Sequence, residues 1–110
     1  MRPSKDAIMN LKAGDKVVVY IDGRTYHTPK EYLVEKVGRE YLYVDNRKFR
    51  RETGSAEFGY ELFPGDLAAY NEFVEQRQYA ITVHRELDYK FSKLSYEDIK
   101  VIGDLLKKYD

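Results

Sequence analysis

The stretch LKAGDKVVVYIDG at residues 11–23 opens the part of the chain that decides the fold, which continues to Gly54. Throughout this part, short apolar runs alternate with turn residues. The turn at residues 12–15 contains a glycine that can adopt positive φ, and it precedes the apolar run VVVYI. This pattern is typical of a small, strongly bent antiparallel sheet.

The apolar run at residues 17–21 is predicted to be a strand with two apolar faces. Side chains alternate along a strand, so Val17 and Val19 share one face while Val18 and Tyr20 share the other. A strand that is apolar on both sides must be covered on both sides.

Further strands are predicted from the same alternation of apolar runs and turns. They lie at residues 31–37, 41–44, 47–52 and 58–63. Gly38-Arg39 is a short turn that favours antiparallel pairing of the strands beside it. We therefore predict a small SH3-like antiparallel β-barrel over residues 12–63.

The second half of the chain changes to the period of a helix. Apolar residues recur every three or four positions over residues 66–86, which predicts a long amphipathic helix. A linker at 88–94 precedes Ser95, which is expected to cap a short C-terminal helix. The prediction is one α+β domain over residues 1–110, in which the helical part at 64–110 packs on the barrel.

Composition excludes several functional classes. The 110 residues contain 19 basic and 19 acidic side chains, and this balance argues against a general nucleic-acid coat protein or a polybasic membrane binder. The absence of cysteine excludes disulfides and thiolate metal sites. The N-terminus lacks the apolar stretch of a signal peptide and no run is long enough to span a bilayer, so we expect a cytoplasmic protein without membrane contact.

No pattern in the sequence indicates catalysis or a cofactor. His27 and His84 are the two histidines, and a zinc site needs three or four ligands. The chain has no nucleophile elbow and no glycine-rich phosphate loop. We therefore predict a protein that is not an enzyme and has no metal or cofactor.

A cluster of basic and tyrosine side chains is the candidate binding surface. Lys48 and Arg50 are expected to project together, opposite Phe49. Arginine and tyrosine can hold phosphates and stack on bases, they are enriched at protein interfaces, and charged residues also protect an edge strand from aggregation. The predicted binding residues are Tyr20, Arg39, Tyr41, Tyr43, Arg47, Lys48, Arg50 and Arg51.

Three stretches carry a resemblance to known families. LKAGDKVVV at residues 11–19 resembles the entry to SH3-like and KOW-type barrels. VEKVGREYLYV at residues 34–44, followed by KFRRETG at 48–54, is similar to small β-barrel proteins that bacteriophages encode. The resemblance implies a phage gene product that acts in the cytoplasm of a bacterial host.

These observations together predict a non-enzymatic interaction protein. The expected partner is a bacterial host protein, such as a defence or nucleic-acid-processing enzyme, which the chain would bind and inhibit. The alternative is a nucleic-acid-binding module of the KOW or SH3-like type.

Overall fold

The computed structural model describes residues 3–21 and 28–109, so His27 lies outside the described residues. The chain divides into two compact units, Met1–Gln76 and Arg77–Asp110. The main elements are α1 (Lys5–Met9), β1 (Lys16–Ile21), β2 (Lys30–Leu33), β3 (Lys36–Val37), β4 (Tyr41–Val44), β5 (Arg47–Arg50), β6 (Tyr60–Pro64), α2 (Leu67–Lys90) and α3 (Tyr96–Leu106).

The strands form two separate antiparallel sheets of three strands each. One sheet has the order β2-β1-β6 and the other has the order β3-β4-β5. The predicted SH3-like barrel over residues 12–63 is therefore wrong. Across the described part of the chain, no strand ladder joins the two sheets into a closed cylinder. The α+β class itself is confirmed.

The reason for the difference lies at Val34. The predicted strand at residues 31–37 divides there, because β2 pairs with β1 whereas β3 pairs with β4. The Val34 N–H donates to the Asp15 carbonyl at 2.9 Å, and the Val34 carbonyl accepts from Gly14 N–H at 2.8 Å. The next N–H, of Glu35, donates to the Tyr43 carbonyl at 2.9 Å. One extended segment thus serves both sheets.

The main core lies between the inner faces of the two sheets. Val17 and Val19 of β1 meet the inward side chains of β4 and β5, as the predicted alternation of β1 requires. The buried members of this core are Ile8, Leu11, Val17, Val19, Val34, Leu42, Val44, Phe49 and Leu62. Their burial removes a large apolar area from water, which is the main force that holds the two sheets together.

A second, smaller core covers the opposite face of the β2-β1-β6 sheet. Val18, Tyr20 and Phe63 pack there against Tyr70 in the first turns of α2. The Tyr70 ring centroid lies 5.1 Å from that of Tyr20 and 5.6 Å from that of Phe63. The predicted long helix is confirmed, and it extends four residues beyond the predicted end at residue 86, to Lys90.

The second unit contains the C-terminal part of α2 and all of α3. The Ser95 Oγ accepts a hydrogen bond from the Asp98 N–H at 3.1 Å, which confirms the predicted cap of α3. None of the residues of α3 is fully buried. No helix in the described ranges is long and apolar enough to cross a membrane.

Candidate functional site

The outer face of the β3-β4-β5 sheet brings tyrosine and cationic side chains together. Leu42, Val44 and Phe49 point into the main core, so the residues that alternate with them point away from it. The pairing register sets Tyr43 between Lys36 and Lys48, and it sets Tyr41 opposite Arg50. We call this surface the aromatic–basic face, and its members are Lys36, Tyr41, Tyr43, Lys48 and Arg50. None of these five positions carries a carboxylate.

The lysines of the aromatic–basic face lie over the tyrosine rings. The Lys48 Nζ is 4.4 Å from the ring centroid of Tyr41, and the Lys36 Nζ is 5.7 Å from that of Tyr43. Both distances are within the range of a cation–π contact. Within the described ranges, neither lysine forms an ion pair with a carboxylate. Their charge is therefore available to an anionic ligand.

A cleft of about 800 Å³ opens on this face. Tyr41, Tyr43, Lys48 and Arg50 form one part of its lining, and the loop that follows β5 forms the other part, which includes Phe58 and the carboxylate of Glu57. The arrangement offers aromatic surfaces and cations side by side, which suits a ligand that has both planar apolar groups and negative charge.

Arg47 and Arg51 are engaged in contacts within the protein. Arg47 lines the edge of the cleft, but its Nη1 contacts the Asp45 carboxylate at 3.1 Å and its guanidinium lies 3.9 Å from the centroid of the Tyr60 ring. Arg51 donates to the carbonyl of Met9 at 2.6 Å and to that of Gly38 at 3.1 Å.

The remaining two predicted binding residues lie elsewhere. Tyr20 belongs to the second core, and Arg39 is exposed in the turn between β3 and β4. The structure thus brings together four of the predicted residues, Tyr41, Tyr43, Lys48 and Arg50. Lys36 and Phe58 join them, although the prediction omitted both. Lys36 could have been predicted, because it alternates with the inward-facing Val37 and so must face outward. Phe58 could not, because the local sequence pattern predicts an ordinary strand residue at that position.

The Asp45 carboxylate also affects Tyr32 on the neighbouring sheet. The pKa of the Tyr32 phenol is raised above its ordinary value of 10.0. The largest cause is partial burial, followed by the negative charge of Asp45 and the hydrogen bond to it. The folded state thus favours the neutral phenol. The stabilisation that the raised pKa of Tyr32 gives the folded state is fully present below about pH 10. It is lost as the pH rises through the folded-state pKa.

The fold and the site define a small α+β domain in which one sheet carries tyrosine and cationic side chains on its outer face. Among the described residues, no group of three or more histidine or carboxylate side chains could hold a metal ion. The chain matches the model of the phage ProQ C-terminal-like domain over residues 1–109, and it belongs to that family. The predicted phage association is confirmed at this level. No curated protein and no solved structure matches the chain.

Proposed function

We propose that this protein binds nucleic acid through the aromatic–basic face. The observation that carries the proposal is the pairing register, which places Tyr43 between two lysines and Tyr41 opposite an arginine. Lysine and arginine neutralise phosphates, and tyrosine rings stack on bases. The zero net charge of the whole chain is compatible with this role because Lys36, Lys48 and Arg50 place three cations together on one sheet face.

The first test removes two cations of the aromatic–basic face together, as Lys48→Ala/Arg50→Ala. Each phosphate contact to a single strand contributes a slope of about −0.7 to the dependence of log affinity on log salt. Loss of two contacts should therefore weaken binding about 25-fold at about 0.1 M salt and flatten the slope by about 1.4. Fluorescence polarisation with labelled RNA and DNA oligonucleotides across a salt series measures both quantities.

The matched control is Lys107→Ala/Lys108→Ala, which makes the same change in net charge. Lys107 and Lys108 are exposed in the second unit, so we expect this variant to keep the affinity of the unmodified protein within about twofold. Equal weakening by the two double variants would contradict the placement of the site. Absence of any salt-dependent binding would contradict the proposed function itself.

A bacterial host protein is the second candidate partner, and the membership of a phage family is the observation that favours it. Tyrosine and arginine are also the residues enriched at protein interfaces. Capture from nuclease-treated bacterial lysate separates the candidates. A protein retained by the unmodified chain and lost with Lys48→Ala/Arg50→Ala would support a host protein, whereas retention that disappears with nuclease treatment would support nucleic acid.

A further inference from the structure

Phe58 combines two features that each oppose stability. Its side chain is 85% exposed, so it gains almost nothing from burial. Its backbone has φ 63° and ψ 23°, in the left-handed region, which a residue with a Cβ adopts at a cost. Phenylalanine lacks the short polar side chain with which asparagine or aspartate compensates that conformation. Packing within the protein therefore gives no reason for a phenylalanine here.

The loop that carries Phe58 is anchored at both ends. The Arg50 N–H donates to the Ser55 carbonyl at 2.9 Å, and the Ala56 N–H donates to the Tyr60 carbonyl at 2.9 Å. These bonds tie the loop to β5 and β6. The exposed ring is consequently held at the cleft that Tyr41 and Tyr43 line.

The spacing of the rings indicates the form of the ligand. Tyr41 and Tyr43 are two positions apart on one strand, so their Cα atoms are about 6.6–6.8 Å apart. Bases in a duplex are about 3.4 Å apart along each strand and cover each other's faces. Rings at the wider spacing can instead meet the faces of unpaired bases in an extended strand.

We propose that the ligand of the aromatic–basic face is single-stranded nucleic acid, and that Phe58 acts with Tyr41 and Tyr43 as a third stacking residue. The inference rests on the proposed function and deepens it. A base that stacks on Tyr41 displaces the Lys48 ammonium from that ring, where it lies 4.4 Å from the centroid in the free protein. The ammonium is then in reach of the adjacent phosphate, so one side chain covers the ring in the free state and pairs with the backbone in the bound state.

The test compares Phe58→Asn with Phe58→Trp. Asparagine tolerates the left-handed region, so Phe58→Asn should keep or raise the midpoint of thermal unfolding while it removes the ring. We expect its affinity for oligo-uridine RNA and oligo-thymidine DNA to fall about 5- to 150-fold, the loss associated with one stacked base. Phe58→Trp should retain the affinity. The chain has no tryptophan, so tryptophan fluorescence of this variant, excited at a wavelength that its tyrosines do not absorb, reports on residue 58 alone and should be quenched when a base stacks on it.

Three outcomes separate this inference from the proposed function. If Phe58→Asn binds as tightly as the unmodified protein while Lys48→Ala/Arg50→Ala is weakened, the stacking role of Phe58 is wrong and the proposed function stands. If a hairpin duplex binds as tightly as the two oligonucleotides, the single-stranded class is wrong. If neither oligonucleotide nor duplex binds, the proposed function fails and this inference fails with it.

Discussion

Replacement of Phe49 by alanine is expected to lower the free energy of unfolding by about 3–5 kcal/mol. Phe49 is 0% exposed and is the apolar residue by which β5 joins the main core. Its loss removes the transfer free energy of the ring and leaves a cavity between the two sheets, which the surrounding strands can fill only in part. Domains of this size are typically stable by about 5–15 kcal/mol, so the variant should lose a large share of the total stability. Urea denaturation followed by circular dichroism measures the change.

Phe58→Ala is the matched control because it makes the same chemical change at an exposed position. We expect its free energy of unfolding to stay within about 0.5 kcal/mol of that of the unmodified protein. If the two alanine variants lost equal stability, the main core would not depend on Phe49 in the way described.

Replacement of Tyr70 by alanine should cost about 3 kcal/mol, the second largest effect that we predict. The Tyr70 side chain is 8% exposed and contacts the rings of Tyr20 and Phe63 on the outer face of the β2-β1-β6 sheet. Truncation removes its apolar area and two aromatic contacts, each of which contributes about 0.5–1.5 kcal/mol. The start of α2 then loses its attachment to the sheet. Urea denaturation gives the free energy, and near-ultraviolet circular dichroism reports on the aromatic cluster.

Tyr79→Ala provides the control on the same helix. Tyr79 is 72% exposed, and alanine is the better helix former, so stability should be unchanged or slightly higher. A Tyr70→Ala variant as stable as Tyr79→Ala would show that the second core does not hold the helix on the sheet.

The sequence predicted the side-chain alternation of β1 and β5 and the antiparallel pairing of the strands beside Gly38-Arg39, but it did not predict that the strands form two separate sheets. Val17 and Val19 enter one core and Val18 and Tyr20 enter the other, as alternation alone requires. The division of the predicted strand at Val34 could not be predicted in this way. The side-chain period is the same whichever sheet a strand joins, and the exchange of partners depends on backbone groups of distant residues.

The same reasoning explains which parts of the candidate site could be predicted. Lys48 and Arg50 share a face opposite Phe49, as expected from their spacing. Arg51 lies beyond the end of β5, where alternation no longer applies, and its guanidinium turns to the carbonyls of Met9 and Gly38. Positive φ at Phe58 has no signature in sequence, because that region is rare for a bulky residue.

The passage of one segment through both sheets has a consequence for cooperativity. Only Val34 and Glu35 separate β2 from β3. The Val34 N–H donates to Asp15, next to the start of β1, whereas the Glu35 N–H donates to Tyr43 of β4. If one sheet unfolds, the segment at residues 30–37 loses part of its hydrogen bonds. The other sheet needs that segment in its extended conformation. The first unit should therefore unfold in a single all-or-none step. A ligand that binds the outer face of one sheet should also slow the unfolding of the other sheet.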